Sequence, residues 1–151
     1  SSIITKYKNA FAAIPLLVSF IPMLMDTGGN CGSQSSTLII RGIALGEIRF
    51  SDLFRVMFKE FRVSLIVGVV LALANGLRIL IMYRNAGLAL VIGLSLVATV
   101  IISKLIGCLL PLFAKKLHMD PAIMASPLIT TLVDTCSILI YFNIATRIFQ
   151  L

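Results

Sequence analysis

Four long apolar runs divide this sequence, and they limit its fold more than any other feature does. They cover residues 9–42, 63–83, 86–114 and 121–149. The chain is 59% hydrophobic and only 13% charged, whereas a soluble domain carries roughly 25% charged residues. Because a bilayer core about 30 Å thick needs roughly 20 apolar residues per helix, the runs predict an all-α, polytopic membrane protein. We expect four transmembrane helices in one transmembrane domain, residues 1–151.

The charge pattern also indicates a chain embedded in a lipid bilayer. The net charge is +7, but most basic residues stand at the ends of the apolar runs, where membrane proteins place Lys and Arg against headgroups. This distribution predicts a bilayer as partner and no nucleic acid. Residues 43–62 repeat large apolar side chains at three- and four-residue steps among basic ones, which predicts an amphipathic helix at the membrane interface.

Basic residues also predict the orientation of the chain. Four spans place both chain ends on one side of the membrane and the connector 43–62 on the other. Basic residues are more numerous on the connector side, so the positive-inside rule predicts a cytoplasmic connector and a C-terminus outside. The connector side holds Arg41, Arg49, Arg55, Lys59, Arg62, Lys115 and Lys116, and the end side holds Lys6, Lys8, Arg78, Arg84 and Arg147.

The first run contains a stretch rich in glycine, amide and hydroxyl groups, from Pro22 to Thr37. The run is longer than one span needs, so we expect it to be tilted, bent or locally opened. Pro22 removes a helical hydrogen bond and the glycines lower the cost of bending. If the stretch is helical, spacings of four, seven and eleven residues place its polar side chains on one face. These side chains are Asp26, Asn30, Ser33 and Thr37.

A second polar stripe follows the same spacing rule in the last run. Its members are Ser126, Thr130, Asp134, Ser137 and Tyr141. At ~1.5 Å per residue, Asn30 in the first run lies ~18 Å from the cytoplasmic end and Asp134 lies ~20 Å from it. The two stripes are therefore expected to meet near the middle of the membrane.

The oxygen donors of the two stripes predict a site for a hard divalent cation. Carboxylate, amide and hydroxyl oxygens suit Mg²⁺, Ca²⁺ or Mn²⁺, and a wide polar stripe can bind Mg²⁺ with its water shell. An intramembrane carboxylate is a functional candidate by default. The competing interpretation is that the hydroxyls bond their own helix backbone. In the same way, Asp26 could pair with Lys104, which could also snorkel to the interface.

No sequence pattern indicates an enzyme. There is no nucleophile–base arrangement, no glycine-rich phosphate loop and no His/Cys cluster with metal-ligand spacing, so we expect no catalytic residues. The cysteines Cys31, Cys108 and Cys136 are expected to be free thiols, and His118 a solvated loop residue.

Two motifs resemble a known family. The run Thr27-Gly-Gly-Asn-Cys-Gly-Ser-Gln34 and the run Thr130-Thr-Leu-Val-Asp134 are similar to the signature of the MgtE family of magnesium channels and transporters. Lys59-Glu60, Leu110-Pro111 and Asp120-Pro121-Ala122 also resemble that family, and the similarity covers nearly the whole chain in order.

The resemblance implies a homodimer with a pore on the dimer axis. Its location would be the cell membrane, which in bacteria is the inner membrane. Its pore would be lined by residues 9–42 and 121–149 and would conduct hydrated Mg²⁺, held by Asp134 and its symmetry mate. The resemblance implies that Thr130, Ser126, Ser33 and Thr37 lie around the ion path. Asn30, on the first polar stripe, is expected to contact the water shell of the ion with them.

Compared with the family, the chain is expected to lack the first helix and the cytosolic N-terminal and CBS domains. Asp26, Ser33 and Lys104 stand where the family commonly has other residues. Two alternatives stay open: a Na⁺- or H⁺-coupled divalent cation exchanger, with Asp26 and Lys104 as coupling groups, and a non-conducting membrane scaffold.

Overall fold

The computed structural model describes residues 15–124 and 126–149, and within them all regular structure is helical. The predictions made for residues 1–14, Lys6 and Lys8 included, and for the side chain of Ser126 concern residues outside this part of the chain. Two short 3₁₀ helices, Phe50–Asp52 and Pro121–Met124, precede the second and fourth long helices. The four long α-helices are α1 (Ile21–Ala44), α2 (Leu53–Tyr83), α3 (Ala86–Lys116) and α4 (Ser126–Phe149).

Three helical segments are long and apolar enough to cross a membrane: Phe50–Tyr83, Ala86–Lys116 and Pro127–Phe149. This agrees with the predicted all-α membrane protein. Helix α1 has 24 residues, which at ~1.5 Å per residue matches a bilayer. Its run of Gly, Asn, Gln, Ser and Thr makes it less apolar than the three segments above. That α1 is the fourth span therefore stays a prediction.

Helix α3 is the centre of the structure, because α1, α2 and α4 all pack against it. A main apolar cluster forms where its first half meets the others, and it includes Leu88, Ile92 and Leu96 of α3. Tyr141 of α4 is fully buried in this cluster and donates a hydrogen bond of 2.6 Å to the carbonyl of Leu17. Apolar burial thus fixes α3, while α4 is held both by buried apolar side chains such as Ile129 and Val133 and by this hydrogen bond.

The glycines of α1 allow close helix packing rather than bending. A Cβ placed on Gly28 would lie 2.7 Å from Val133 Cγ1 and 2.9 Å from Thr99 Cγ2, and one on Gly32 would lie 2.9 Å from Ile129 Cγ2. No side chain fits at these two positions. The glycine face of α1 is therefore the surface by which α1 approaches both α3 and α4.

The predicted break in the first run lies elsewhere than expected. Helix α1 is continuous through the whole glycine-rich stretch, and the interruption lies at the turn residue Phe20, directly before α1. Pro22 stands in the first turn of α1, where its missing N–H has no helical partner to lose. The first run is therefore interrupted before the glycines rather than at them, because tight packing holds the glycines in the helix.

The separate amphipathic helix predicted for residues 43–62 is also wrong. Helix α1 continues to Ala44, a short loop and the 3₁₀ turn follow, and the remaining residues form the first turns of α2. Helix α2 has 31 residues, or ~46 Å, about 16 Å more than a bilayer core requires. Its basic part is continuous with the span because no helix-breaking residue separates them.

The connections between helices are short and locally specified. Gly46 has a φ of +75° and lies in the loop after α1, where the amides of Glu47 and Ile48 both donate to the Gly42 carbonyl. Before the last helix, Asp120 Oδ1 accepts a hydrogen bond of 3.0 Å from the amide of Ala122. Asp120 thus caps the 3₁₀ helix that precedes α4.

Candidate ion-binding cleft

The two predicted polar stripes meet in a cleft of about 360 Å³ between α1 and α4. Helix α1 contributes three of the predicted polar residues and α4 contributes two. The remaining wall is Pro22, Met25 and Gly29. The polar residues that line the cleft are Asp26, Asn30, Ser33, Thr130 and Asp134.

Helical periodicity and close packing together bring these side chains into one space. On α1, Asn30 and Ser33 follow Asp26 by four and seven residues, so the three share a face. On α4, Thr130 precedes Asp134 by one turn. A Cβ added to Gly29 would lie 3.5 Å from Thr130 Cγ2, an ordinary contact distance, so the glycine face of α1 sets the separation of the two stripes.

Asp134 is the most unusual group in the cleft. Its Oδ1 atom is buried and has no hydrogen-bond partner among the described residues. No Lys, Arg or His of the described chain lies within ion-pairing distance of it. Removing an ionised carboxylate from water costs several kcal/mol unless a cation or donor compensates it, which makes this oxygen a candidate ligand for a cation.

The second carboxylate of the cleft, Asp26, is exposed, and so is Asn30. Ser33 and Thr130 are half-buried between the helices. The described chain contains no cluster of three or more His, Cys, Asp or Glu. The donor set is therefore two carboxylates with an amide and hydroxyls spread over a wide space, which suits an ion that keeps its water shell.

Two predicted ligands are not part of this arrangement as described. Thr37 is exposed on α1 and does not line the cleft, because it stands one helical turn beyond Ser33. Ser126 begins α4, but its side chain lies outside the described residues. The roles in ion binding of these two residues and of the five polar residues that line the cleft stay predictions.

Lys104 does not pair with Asp26. It is 5% exposed, and its Nζ lies 4.0 Å from Glu60 Oε2 and 3.5 Å from Ser35 Oγ. Ser35 Oγ in turn donates a 2.7 Å hydrogen bond to Glu60 Oε2. This buried triad joins α1, α2 and α3 away from the cleft. Glu60 therefore neutralises the positive charge of Lys104.

Sequence reasoning missed the triad because it treated residues 43–62, which include Glu60, as a helix at the membrane interface. Glu60 is 9% exposed. The available signal was Lys104 itself, since a lysine within an apolar run needs a buried acidic partner. The choice of that partner depended on which helix packs beside α3.

The fold and the cleft define a class: an all-α membrane protein with an oxygen-lined space of the kind that hard divalent cations favour. Comparison with known proteins identifies the family. The model of one family, MgtE, described as a divalent cation transporter, matches residues 21–144. The chain belongs to the MgtE family.

Individual relatives agree with this assignment. The chain is 40% identical to the magnesium transporter MgtE of Bacillus subtilis over 96% of its length, and 36% identical to that of Thermus thermophilus over 99%. The magnesium transporter MgtE of Enterococcus faecalis is 34% identical over 97% of the chain. In each case the match covers 32–33% of the relative, so the chain spans about one third of the length of these proteins.

Proposed function

We propose that this chain forms the ion-conducting part of a magnesium transporter and is not an enzyme. The observation that carries the proposal is the buried, unpartnered Asp134 Oδ1 in a cleft lined by oxygen donors. Its named relatives are magnesium transporters, which makes Mg²⁺ the first candidate for the transported ion. Residues 1–151 would form one transmembrane domain.

The polar composition of α1 supports a pore rather than a lipid-facing position. A membrane-spanning helix with a polar face is tolerated where that face lines water or protein. Helix α1 is long enough to span, and its Asp26–Asn30–Ser33 face lines the open cleft. Helices α1 and α4 are therefore the proposed pore walls, and α1 is the proposed fourth span.

The cleft in one chain is half of the proposed pore. It opens outward between α1 and α4, on a side where the described chain places no other helix. A two-fold axis passing this opening would bring two Asp134 side chains together across a water-filled path. Such a homodimer predicts that purified protein in detergent has twice the mass of one chain, as measured by light scattering.

The carboxylates would concentrate and select the hydrated ion, and the membrane potential would drive it. An inside-negative potential contributes ~2.3 kcal/mol per charge per 100 mV, so a divalent ion gains about twice that. Asn30, Ser33 and Thr130 would contact the water shell, with Thr37 and Ser126 along the path. In this proposal the loop between α1 and α2 is cytoplasmic and the C-terminus is outside, in the cell membrane.

The test is Mg²⁺ uptake into liposomes by Asp134→Asn. The amide keeps the size of the side chain but removes the charge, so uptake is expected to fall at least tenfold while the protein still elutes as wild type. Glu47→Gln is the matched control, since Glu47 is exposed in the loop and loses the same charge outside the cleft. Undiminished uptake in Asp134→Asn would refute the proposed site.

A coupled divalent cation exchanger is the second candidate, favoured by the two carboxylates in one cleft. Asp26 is the candidate coupling group, since a partly exposed carboxylate can exchange a proton or Na⁺. Uptake measured with and without Na⁺ or pH gradients separates the two functions. Flux that requires a gradient, and is lost in Asp26→Asn, would favour exchange over a channel.

A further inference from the structure

The first turns of α2 carry a surface that the cation cleft does not use. Arg55, Lys59 and Arg62 follow one another at steps of four and three residues, so they lie on one face of the helix. All three are exposed. With Phe58, Val63 and Ile66 they line a groove of about 430 Å³ on the outer side of α2.

A second, larger space adjoins the same basic residues. It has a volume of about 610 Å³ and lies between the end of α1 and the start of α2. Arg55 and Lys59 line both spaces and form the ridge between them, and Arg41 at the last turn of α1 adds a further cation. The two spaces together form a continuous basic surface, which we call the α2 basic groove.

Most of the acidic residues near this groove are already neutralised. Glu60 is buried against Lys104, and Asp52 lies 3.3 Å from Arg55. Within the described residues, Lys59, Arg62 and Arg41 have no acidic partner within 4 Å, and Arg62 lies over the Phe58 ring at 5.6 Å. The exposed Glu47 is the one remaining acid in its lining. The groove is therefore cationic.

The basic face continues directly into an apolar one. Ile66 is 68% exposed and Val70 60%, and they stand one and two turns beyond Arg62 on the stripe that begins at Arg55. Only 11% of the most apolar stretch of this helix is buried within the described chain, against 44% for α3. Cations at one end and an uncovered apolar track at the other match a phospholipid with an anionic headgroup.

We propose that the α2 basic groove binds an anionic phospholipid, with its phosphate against Lys59 and Arg62 and an acyl chain along Val63 and Ile66. A second copy of the chain is a poorer occupant, because a symmetric contact would bring like charges together. A free phosphate would leave the apolar track uncovered. The site is separate from the cation cleft, so lipid binding at the groove does not depend on the proposed transport function.

The experiment is native mass spectrometry of the purified chain in detergent, titrated with dioleoyl-phosphatidylglycerol or dioleoyl-phosphatidylcholine. The test variant is Lys59→Gln with Arg62→Gln. The control is Arg78→Gln with Arg84→Gln, which removes the same charge from the opposite end of α2. Elution volume and far-UV circular dichroism check that each variant is folded.

Wild-type protein is expected to retain phosphatidylglycerol in preference to phosphatidylcholine. Losing two cations near an anionic headgroup should weaken phosphatidylglycerol binding by about 30-fold, with little change in the control pair or in Asp134→Asn. Equal loss in both pairs, no preference between the lipids, or displacement by glycerol phosphate would overturn the proposal. So would a test variant that changes the oligomeric mass while its lipid binding is unaltered, since a second copy would then cover the groove.

Discussion

The buried ion pair between Lys104 and Glu60 allows the sharpest test of how this fold is held together. The pair spans α2 and α3, its N–O distance is 4.0 Å, and the two side chains are 6% and 12% exposed. Replacing Lys104 with Met would keep the volume and remove the charge. Glu60 would then be a buried anion whose remaining partner in the triad is the Ser35 hydroxyl.

The magnitude follows from burial rather than from distance. Removing one partner of a buried pair costs about 3–5 kcal/mol, because the other charge is left uncompensated. The exposed pair of Arg55 and Asp52 is shorter, at 3.3 Å, but its side chains are 72% and 28% exposed. An exposed pair is worth about 0.2–1 kcal/mol, so Arg55→Gln should cost far less than Lys104→Met.

The free energy of unfolding can be measured by far-UV circular dichroism in mixed micelles titrated with sodium dodecyl sulfate. Lys104→Met is expected to lose about 3–5 kcal/mol, and the double variant with Glu60→Gln should recover most of it, since a neutral amide still accepts the Ser35 hydrogen bond. If the double variant is as unstable as Lys104→Met, the loss comes from packing and the electrostatic reasoning is wrong.

Two further predictions concern packing within the bundle. Gly28→Ala should destabilise the protein by about 1–3 kcal/mol, because the added Cβ would lie 2.7 Å from Val133 Cγ1, whereas Gly29→Ala, at 3.5 Å from its neighbour, should be tolerated. Equal losses in the same unfolding assay would contradict this difference. Tyr141→Phe should lose about 0.5–1.5 kcal/mol, because it removes the 2.6 Å hydrogen bond to the Leu17 carbonyl, which keeps the Phe20 amide as a donor. An unchanged midpoint would mean that the apolar cluster alone anchors α4.

Much of the candidate site was predictable from local spacing. Asp26, Asn30 and Ser33 share a face because the helical period is fixed, and Thr130 and Asp134 share a face of α4 for the same reason. The estimate that both stripes lie at a similar depth followed from the rise per residue. Thr37 shares the spacing but does not line the cleft, since it is exposed one turn beyond Ser33, and its place on the ion path stays a prediction.

The connector was mispredicted because periodicity cannot tell an interfacial helix from the end of a long span. Phe54 and Phe58 are indeed exposed, at 82% and 62%. Nothing local stops the helix between them and the membrane-spanning residues. The same ambiguity hid the burial of Glu60, which depends on contact with Ser35 of α1 and Lys104 of α3.

The sequence by itself determined the helical class, the apolar lengths, the two polar stripes and the family, because these depend on composition, order and the helical period. Tertiary structure alone decided which side chains meet. Gly28 and Gly32 set how closely α1 approaches α3 and α4, and that approach aligns the stripes. It also assigned Lys104 to Glu60 and left Asp134 Oδ1 without a partner among the described residues. Pairing between helices depends on their packing register, a property that no single helix contains.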